Sequence, residues 1–215
     1  MLNKNDYLTI FHEIKNSITL IGSSLQLLEK KHPQVQELDY WNESMAEIAF
    51  LKKIVTELSA NRLSDSLHFS QVSLPAFFSE ISCTLRSLSW KNFFCEVSLE
   101  ENLPIVEMDS VKIRQAIINL LKNSCEAMNY YGTVQLHVMQ EEPYVIFDIT
   151  DYGGGIPAEY ESHMFEPLFT SKKEGSGLGL IITQNIVESH NGSLSYVSRP
   201  GDGCTFTIRL PIHQS

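Results

Sequence analysis

Three short motifs whose side chains suit nucleotide chemistry lie close together in the carboxy-terminal part of this 215-residue chain. They are Asp151-Tyr-Gly-Gly-Gly155, Phe165-Glu-Pro-Leu-Phe169 and Gly175-Ser-Gly-Leu-Gly179. An acid tied to glycines, then an aromatic pair, then a glycine run that opens a helix is typical of a nucleotide site under a mobile loop. Each motif alone would indicate little, and only their order is informative.

Asp151 is predicted to end a strand and to face a ligand from a glycine-rich turn. A carboxylate accepts a hydrogen bond from an exocyclic amine such as the N6 amine of adenine. Gly153 and Gly155 would permit positive φ and a close approach of the base. The competing interpretation is an ordinary Asp-Gly turn.

The second glycine run leads into a predicted helix, whose free amides and positive dipole end would bind phosphate oxygens. No GxxxxGK[ST] occurs and the spacing misses GxGxxG, which disfavours a P-loop and a dinucleotide fold. Between the glycine runs, Phe165 and Phe169 are expected to anchor the loop over the nucleotide. Lys172 or Lys173 could reach the phosphates, and either could equally be a solvated lysine. The candidate phosphate-binding residues of the run are Gly175, Gly177, Leu178 and Gly179.

Asn119 and Asn123 lie one turn apart on one face of a helix predicted from Asp109 or Ser110 to Met128. An amide oxygen is a hard ligand that Mg²⁺ accepts alongside phosphate oxygens and water. Alone, the pair would indicate buried hydrogen-bonding structure. Beside the glycine motifs it predicts a place for Mg²⁺ and ATP, with Asn123 as the metal ligand.

A separate candidate, His12-Glu-Ile-Lys-Asn16, lies near the amino end. His12 follows the apolar residue Phe11, which predicts a position at the flank of a helix pair, within reach of a second domain. A neutral imidazole is a nucleophile near pH 7. Glu13 would fix its tautomer by accepting the other ring N–H. Because adjacent helix residues do not face one another, Glu13 must fold back or act when helices shift.

The motifs together resemble the boxes of sensor histidine kinases, a family with the GHKL-type ATP-binding fold shared with DNA gyrase and the mismatch-repair ATPases. The resemblance covers about residues 67–211, and four boxes in order are highly specific. His12–Asn16 resembles the H box. The N, G1, F and G2 boxes correspond to Asn119–Ala127, Asp151–Gly155, Phe165–Phe169 and Gly175–Gly179.

This resemblance implies an ATP- and Mg²⁺-dependent protein histidine kinase that phosphorylates His12 and passes the phosphoryl group to an aspartate of a response-regulator receiver. It assigns Asn119 and Asn123 to Mg²⁺-ATP, Asp151 to adenine, and residues 156–177 to an ATP lid. Without the downstream boxes, a lone helical histidine would be taken as a solvated side chain.

Asn16 lies one turn beyond His12 on the same helix face. In similar families such an Asn positions water against a phospho-aspartate, so the same surface could also dephosphorylate the regulator. The competing interpretation is an exposed helix residue.

Three positions depart from the common family pattern. Ser17 stands where Pro is frequent, which predicts a weak or absent helix bend after the histidine. Ser124 replaces a frequent Ala, and Ser176 a frequent Thr. None of these changes removes a group that the chemistry needs.

Helices are needed to position the histidine. Residues 6–31 carry a heptad seam, Pro33 marks a turn because it disfavours helical geometry at His32, and a second helix is expected over about residues 36–61. A hairpin cannot cover both seams, so we predict a homodimer with a four-helix bundle. The alternative is a hairpin packed on its own carboxy-terminal domain. The seam comprises Phe11, Ile14, Ile18, Ile21, Leu25, Leu28, Leu38, Trp41, Met45, Ile48, Leu51, Val55 and Leu58.

An α+β chain is therefore expected, with a dimerisation and phosphotransfer hairpin over residues 1–66 and an ATP-binding domain over residues 67–215. Strands mixed with helices, without strict alternation, predict a two-layer α/β sandwich for the second domain. The predicted strands are 69–72, 93–99, 134–139, 144–149, 193–198 and 205–210, and the predicted helices are 74–85, 109–128 and 181–189.

Composition excludes several classes. A net charge of −10 and a pI near 5.1 argue against a nucleic-acid-binding face. Cys83, Cys95, Cys125 and Cys204 form no CxxC pair and are expected to be buried in a reducing compartment. With no signal peptide and no apolar window of about 20 residues, we expect a cytoplasmic protein without a membrane span. It would be a fragment of a longer kinase or a kinase controlled by a partner.

Two other classes compete with the kinase hypothesis. A scaffold that uses ATP only to set the conformation of the lid has no physical need for the intact Asn123, Asp151 and glycine motifs. A gyrase-like ATPase or anti-sigma protein kinase shares the ATP fold but would not carry a histidine on a heptad hairpin.

Overall fold

The computed structural model describes residues 4–62, 67–87, 92–166, 169–170 and 176–214. The chain forms two compact units, one of Met1–Ser66 with Thr170–Leu178 and the other of Leu67–Phe169 with Gly179–Ser215. Residues 4–62 of the first unit are mainly helical, and the second unit combines helices with strands. None of the described helices has the length and apolar content required of a membrane span.

The amino-terminal hairpin consists of α1 (Lys4–Lys31) and α2 (Trp41–Arg62), joined through a 3-10 helix, Pro33–Glu37. His32 leaves helical geometry, with φ −134° and ψ 73°, as the following proline predicts. A Cβ placed on Gly22 of α1 would lie 3.3 Å from Ile48 of α2, so the glycine allows the two helices to approach closely.

The second helix begins at Trp41 and not near residue 36 as expected. Pro33 starts a 3-10 turn, Leu38 is extended (φ −69°, ψ 136°) and Tyr40 has φ +66°. The chain therefore changes direction twice before α2 starts. Leu38 consequently lies outside the helical seam and is 60% exposed.

The apolar seam residues of α1 fall into two sets that face different sides of the helix and differ in exposure. Ile18 and Leu25 are half-buried, whereas Ile14, Ile21 and Leu28 are 41%, 50% and 41% exposed. Each set repeats every seven residues, so each forms a stripe along the helix. The described residues of this chain leave the second stripe at the surface, and the predicted four-helix bundle that would cover it needs a second chain.

The α/β unit contains seven strands and four helices in its described residues. The strands are β1 (Ser70–Ser73), β2 (Asn92–Leu99), β3 (Ile105–Met108), β4 (Tyr131–Glu141), β5 (Tyr144–Asp151), β6 (Ser193–Arg199) and β7 (Gly203–Pro211). The helices are α3 (Leu74–Ser87), α4 (Ser110–Ala127), α5 (Ala158–Glu161) and α6 (Gly179–Ser189).

Five strands form one mixed sheet in the order β2-β4-β5-β7-β6. Only the β2–β4 pair is parallel, and the predicted neighbouring strands β4 and β5, and β6 and β7, form antiparallel pairs. In the central β5–β7 pair, Asp151 at the end of β5 lies opposite Cys204. The sheet thus carries the predicted adenine-reading acid at the end of a fully paired strand.

One face of the sheet is covered by helices. Side chains alternate between buried and partly exposed along β7, and α4 and α6 pack against each other and against the strands. This is the predicted two-layer α/β sandwich. Its core includes Phe78, Ile81, Ile113, Ile117, Leu120, Leu121, Leu136, Phe147, Ile149, Val187, Ile208 and Leu210.

Two elements of this unit were not predicted. Strand β3 pairs with β1 in a small antiparallel sheet separate from the main one, and the short helix α5 follows the Asp151 turn. Helix α6 also begins at Gly179, two residues earlier than expected.

The cysteines do not all follow the expectation of burial. Cys125 and Cys204 are buried and Cys95 is half-buried, but Cys83 is exposed because it lies on the outer side of α3. Burial first, and then the charge of Glu126, raises the pKa of Cys125 to about 11, so this thiol stays protonated at neutral pH.

Candidate functional site

Asp151 is a buried carboxylate at the carboxyl end of β5, with 4% of its surface exposed. The hydroxyl of Ser124 donates to its Oδ2 at 3.0 Å, and the backbone N–H of Gly153 donates to its Oδ1 at 3.0 Å. The thiol opposite, Cys204, is no competing acid, because burial and the charges of Asp151 and Glu161 raise its pKa to about 12. The carboxylate is thus the hydrogen-bond acceptor at this strand end.

The glycines after Asp151 have different roles. Gly154 and Gly155 have φ of +87° and +77°, whereas Gly153, which was expected to share this conformation, has no positive φ. Gly153 is needed for packing instead, since a Cβ there would lie 2.7 Å from the Cβ of Ala127 at the end of α4. At Gly155 a Cβ would meet the carbonyl oxygen of Arg199 at 2.5 Å.

The helix that carries the two asparagines begins at a strong cap. Asp109 accepts hydrogen bonds from the backbone amides of Val111 and Lys112, both at 3.1 Å, through the same carboxylate oxygen. Asn119 and Asn123 are half-buried further along α4. The cap and the packing of α4 on α6 fix the direction in which this helix presents them.

Asn119 connects the asparagine motif to the second glycine run. Its Nδ2 donates to the carbonyl oxygen of Gly179 at 3.5 Å, at the first residue of α6. The hydroxyl of Thr183 donates to the same carbonyl oxygen at 2.9 Å. Two motifs that are 60 positions apart in the sequence therefore meet at one helix start.

The described part of the second glycine run begins at Ser176. Gly177 has φ +64°, Leu178 is 1% exposed, and the Leu178 N–H donates to the Ser176 hydroxyl at 3.4 Å. At Gly179 no heavy atom of the described residues lies within 4 Å of an ideal Cβ position, so these residues leave the helix start open on that side. Lys172 and Gly175 lie outside the described residues, and their proposed contacts with phosphate stay predictions.

The two phenylalanines of the aromatic motif pack in different places. Phe165 lies 6.2 Å from the ring of Tyr196, which in turn lies 6.0 Å from Phe206 of the sheet. Phe169 lies 5.6 Å from Tyr160 and has a second ring contact 5.8 Å away, with His163. Sequence reasoning missed the tyrosine partners, although Tyr196 lies at an inward position of β6.

A histidine missed by sequence reasoning stabilises the base of the site. His190 is fully buried; its Nε2 accepts from the backbone N–H of Asp109 at 3.1 Å, and its Nδ1 donates to the carbonyl of Ile186 at 2.7 Å. Asp109 also accepts from the His68 N–H at 3.0 Å. Burial lowers the pKa of His190, so the neutral ring joins the start of α4 to the end of α6.

Residues 12–16 all lie on α1. The backbone of His12 is helical and its side chain lies outside the described part of the structure, whereas the Glu13 and Asn16 side chains are exposed. The hydroxyl of Ser17 donates to the carbonyl oxygen of Glu13 at 2.8 Å within an unbroken helix. Glu13 and Asn16 are thus accessible from solvent, as the proposed roles require.

The donor set of α4 fits a hard cation. Because Asn119 donates through its Nδ2, its amide oxygen remains an acceptor, and Asn123 lies one turn further along the same helix. Mg²⁺ typically takes one or two protein oxygens and completes its shell with phosphate and water. No cluster of three or more His, Cys, Asp or Glu side chains suited to a metal occurs among the described residues.

A mixed sheet with helices on one face, an acid at the end of β5 and an asparagine hydrogen-bonded to the start of a glycine-opened helix define an ATP-binding domain of the GHKL type. Residues 108–214 match the family described as "Histidine kinase-, DNA gyrase B-, and HSP90-like ATPase". With the relatives described next, this match shows that the chain belongs to the sensor histidine kinases, as the sequence motifs predicted.

Sporulation kinase A of Bacillus subtilis is 31% identical over 205 residues, which are 94% of this chain and 33% of that protein. The chain thus spans about one third of the length of this curated relative. A crystal structure of histidine kinase ThkA in complex with the response regulator protein TrrA is 26% identical, with a TM-score of 0.66 over 95% of this chain and 60% of that one.

Full-length ShkA in complex with AMPPNP shares the fold alone. Its sequence is 18% identical, and the TM-score is 0.74 over 100% of this chain and 47% of that one.

Proposed function

We propose that the chain binds Mg²⁺-ATP in its α/β unit, phosphorylates His12, and transfers the phosphoryl group to an aspartate of a response-regulator receiver. The observation that carries this proposal is the pairing of a buried, doubly hydrogen-bonded Asp151 with the contact between Asn119 and Gly179. The first provides a base reader and the second a phosphate end, both within one compact unit.

The adenine end depends on Asp151. An ionised carboxylate is acceptor-only, so it favours a base that presents an amine over one that presents a carbonyl. The N6 amine of adenine supplies the matching donor.

The phosphate end depends on α4 and α6. The amide oxygens of Asn119 and Asn123 would hold Mg²⁺, which when bound neutralises part of the triphosphate charge. The free amides at the start of α6 would bind phosphate oxygens, and Gly179 leaves the space for them. Lys172, Gly175, Gly177 and Leu178 would complete this end from the loop.

The transfer step requires positioning more than covalent assistance. A ring nitrogen of the neutral His12 imidazole would attack the γ-phosphorus with its lone pair. The bond between that phosphorus and the β,γ-bridging oxygen breaks, and ADP leaves with the electron pair. Glu13, exposed on the next helix position, would accept the N–H of the other ring nitrogen and fix the tautomer.

The phosphorylated imidazole would then donate to the carboxylate of a receiver aspartate. Asn16 lies one turn further along the same helix face and is exposed, so a docked receiver would contact both positions. We assign Asn16 to positioning of water against the phospho-aspartate, which would give the chain a phosphatase activity toward its regulator.

We also assign the two regions of the chain. Residues 1–66 would form the dimerisation and phosphotransfer hairpin of a homodimeric four-helix bundle, and residues 67–215 the catalytic domain. The exposed stripe of Ile14, Ile21 and Leu28 supports pairing, because a second chain can bury it.

The test is labelling with γ-labelled ATP and Mg²⁺, followed by acid and base treatment. We expect label that is lost in acid and stable in base, as phosphohistidine is. His12→Gln should abolish it without changing ADP affinity, and His32→Gln, a matched change at the far end of the hairpin, should leave it intact.

Each alternative has its own result. Label that persists in His12→Gln would show that another residue is the acceptor, and acid-stable label would indicate a serine or threonine kinase. ADP binding without any label in the parent chain would favour the scaffold.

A further inference from the structure

The glycine loop of residues 153–156 packs against the turn between β6 and β7. Ser198 of β6 accepts a hydrogen bond from the backbone N–H of Ile156 at 2.7 Å through its Oγ. Within the turn, the backbone N–H of Gly201 donates to the carbonyl oxygen of Gly154 at 2.7 Å. Each segment therefore supplies a hydrogen-bonding partner to the other, and Ser198 supplies the only one of these groups that belongs to a side chain.

The loop and the turn approach each other at backbone distance. A Cβ on Gly155 would lie 2.5 Å from the carbonyl oxygen of Arg199 and 3.0 Å from Oγ of Ser198. Gly155 also has φ +77°, a conformation that residues with side chains rarely adopt. The hydroxyl of Ser198 therefore lies directly against the backbone of the loop, and the close packing fixes its distance from the loop.

The loop is held at both of its ends. Its two central glycines have φ of +87° and +77°, and glycine loses more conformational freedom on ordering than any other residue. At the first end, the N–H of Gly153 donates to Oδ1 of Asp151 at 3.0 Å. At the other end, the hydrogen bond from Ile156 to Ser198 fixes the backbone just after the two glycines. Loss of this second anchor would release one end of the loop.

We propose that Ser198 is a positioning residue for nucleotide binding: by holding the amide of Ile156, its hydroxyl keeps the glycine loop in the conformation that the adenine base requires. This inference rests on the proposed function, in which the loop lies beside the base. A site that is ordered for only a fraction of the time has its affinity reduced by that fraction. The reduction is the same for every ligand that contacts the loop, whatever the ligand carries at its phosphate end.

The test measures adenosine by NMR titration at millimolar concentration and Mg²⁺-ADP by calorimetry, both on the 215-residue chain. Ser198→Ala should weaken both ligands by the same factor, about fivefold, because one hydrogen bond that orders the loop is lost. Ser195→Ala is the matched control, since this serine is exposed on the opposite side of β6. It should change neither affinity.

Two further measurements separate positioning from a general loss of stability. Ser198→Cys fills nearly the same space, but sulfur is a weak acceptor, so this variant should weaken both ligands nearly as much as Ser198→Ala. In both variants hydrogen exchange at the Ile156 amide should accelerate by a larger factor than exchange at the buried amides of β5, because the change is local.

Three results would overturn the proposal while nucleotide binding by the parent stands. Loss of ADP affinity with adenosine unchanged would show that the hydrogen bond acts on the phosphate end. Unchanged affinity for both ligands in Ser198→Ala would leave the contact without a part in binding. Affinity equal to that of the parent in Ser198→Cys would show that space filling matters and the acceptor does not.

The proposed function is tested separately. If adenosine causes no chemical-shift changes in the parent, or if Asp151→Asn weakens neither ligand, the assignment of the base site fails and the Ser198 proposal fails with it.

Discussion

The two regions of the chain bury their apolar side chains very differently. Among the described residues of the hairpin, Val55 is the only buried hydrophobic side chain, whereas the α/β unit buries apolar side chains from five of its seven strands, all except β1 and β6. Ile14, Ile21 and Leu28 remain 41–50% exposed on α1. Each fully buried Leu or Ile is worth about 1.5–3 kcal/mol, so an uncovered stripe forgoes several kcal/mol.

This difference indicates that the two regions are stabilised in different ways. The α/β unit has a core of its own and presents its polar groups at strand and helix ends. The hairpin has helical periodicity and a seam but buries little, so its stability depends on what covers the seam. Substitutions in the hairpin seam should therefore change dimerisation without changing nucleotide affinity. Substitutions in the α/β unit should change nucleotide affinity or local stability without changing dimerisation.

The largest effect is expected at the seam. Ile21→Asp would place a charge in the proposed dimer interface and should raise the dimer dissociation constant at least about 100-fold, because burying an unpaired charge is costly. Analytical ultracentrifugation measures this, and ADP affinity should not change. Gln26→Asp, an exposed control on the opposite side of α1, should keep the dimer. A parent chain that is monomeric at micromolar concentration would contradict the bundle.

The next effect concerns the phosphate end. Asn123→Ala should weaken Mg²⁺-ATP binding about 10-fold to 100-fold, since it removes a ligand to a charged group, and should leave the dimer intact. Calorimetry with and without Mg²⁺ measures the change. Lys122→Ala, at an exposed neighbouring position, is the matched control. Equal losses with and without Mg²⁺ would argue against Asn123 as the metal ligand.

A smaller effect is expected at the start of α4. Asp109→Ala removes the acceptor of the Val111, Lys112 and His68 amides and should destabilise this region by about 2 kcal/mol. Hydrogen exchange in the first turn of α4 should accelerate roughly 30-fold, while the amides of α1 and α2 exchange as before. Asp202→Ala, at an exposed position in the β6–β7 turn, should change neither. Faster exchange throughout the hairpin would show that the two regions unfold together.

The smallest expected effect is a dependence of the free energy of unfolding on pH. Burial lowers the pKa of His190, so below about pH 6.5 the unfolded chain binds a proton that the folded chain resists, and stability falls on acidification. The free energy of unfolding, measured by thermal denaturation, should therefore decrease between pH 7 and pH 5. His190→Gln should reduce this slope, whereas His163→Gln, at a largely exposed site, should not.

Local pattern predicted the elements that carry the site, and long-range packing determined the rest. Residues 134–139 and 144–149 have the alternation of a strand pair and form one. The start of α4 was expected at Asp109 or Ser110, and the structure makes Asp109 the cap. Strand β3 was missed because its four residues are stabilised by pairing with β1, more than 30 positions earlier, which no local period reveals.

Contacts between distant elements were equally invisible in the sequence. Ser124 was noted only as a departure from a common alanine, because its bond to Asp151 depends on how the end of α4 meets the end of β5. His190 follows a helix like many solvated histidines, and only packing against Phe69 and Asp109 distinguishes it. The start of α2 was placed too early because Pro33 can open a 3-10 turn as well as end a helix.

Ser17 gives the first helix a mechanical property. Its hydroxyl returns to the Glu13 carbonyl and the backbone ladder continues to Lys31, so α1 has no hinge where a proline would have removed a hydrogen bond. A continuous helix of this kind transmits a rotation along its axis better than a helix interrupted by a proline. Twisting α1 would therefore turn positions 12 and 16 together with Ile21 and Leu28, which couples the orientation of the proposed phosphorylation surface to the packing of the seam.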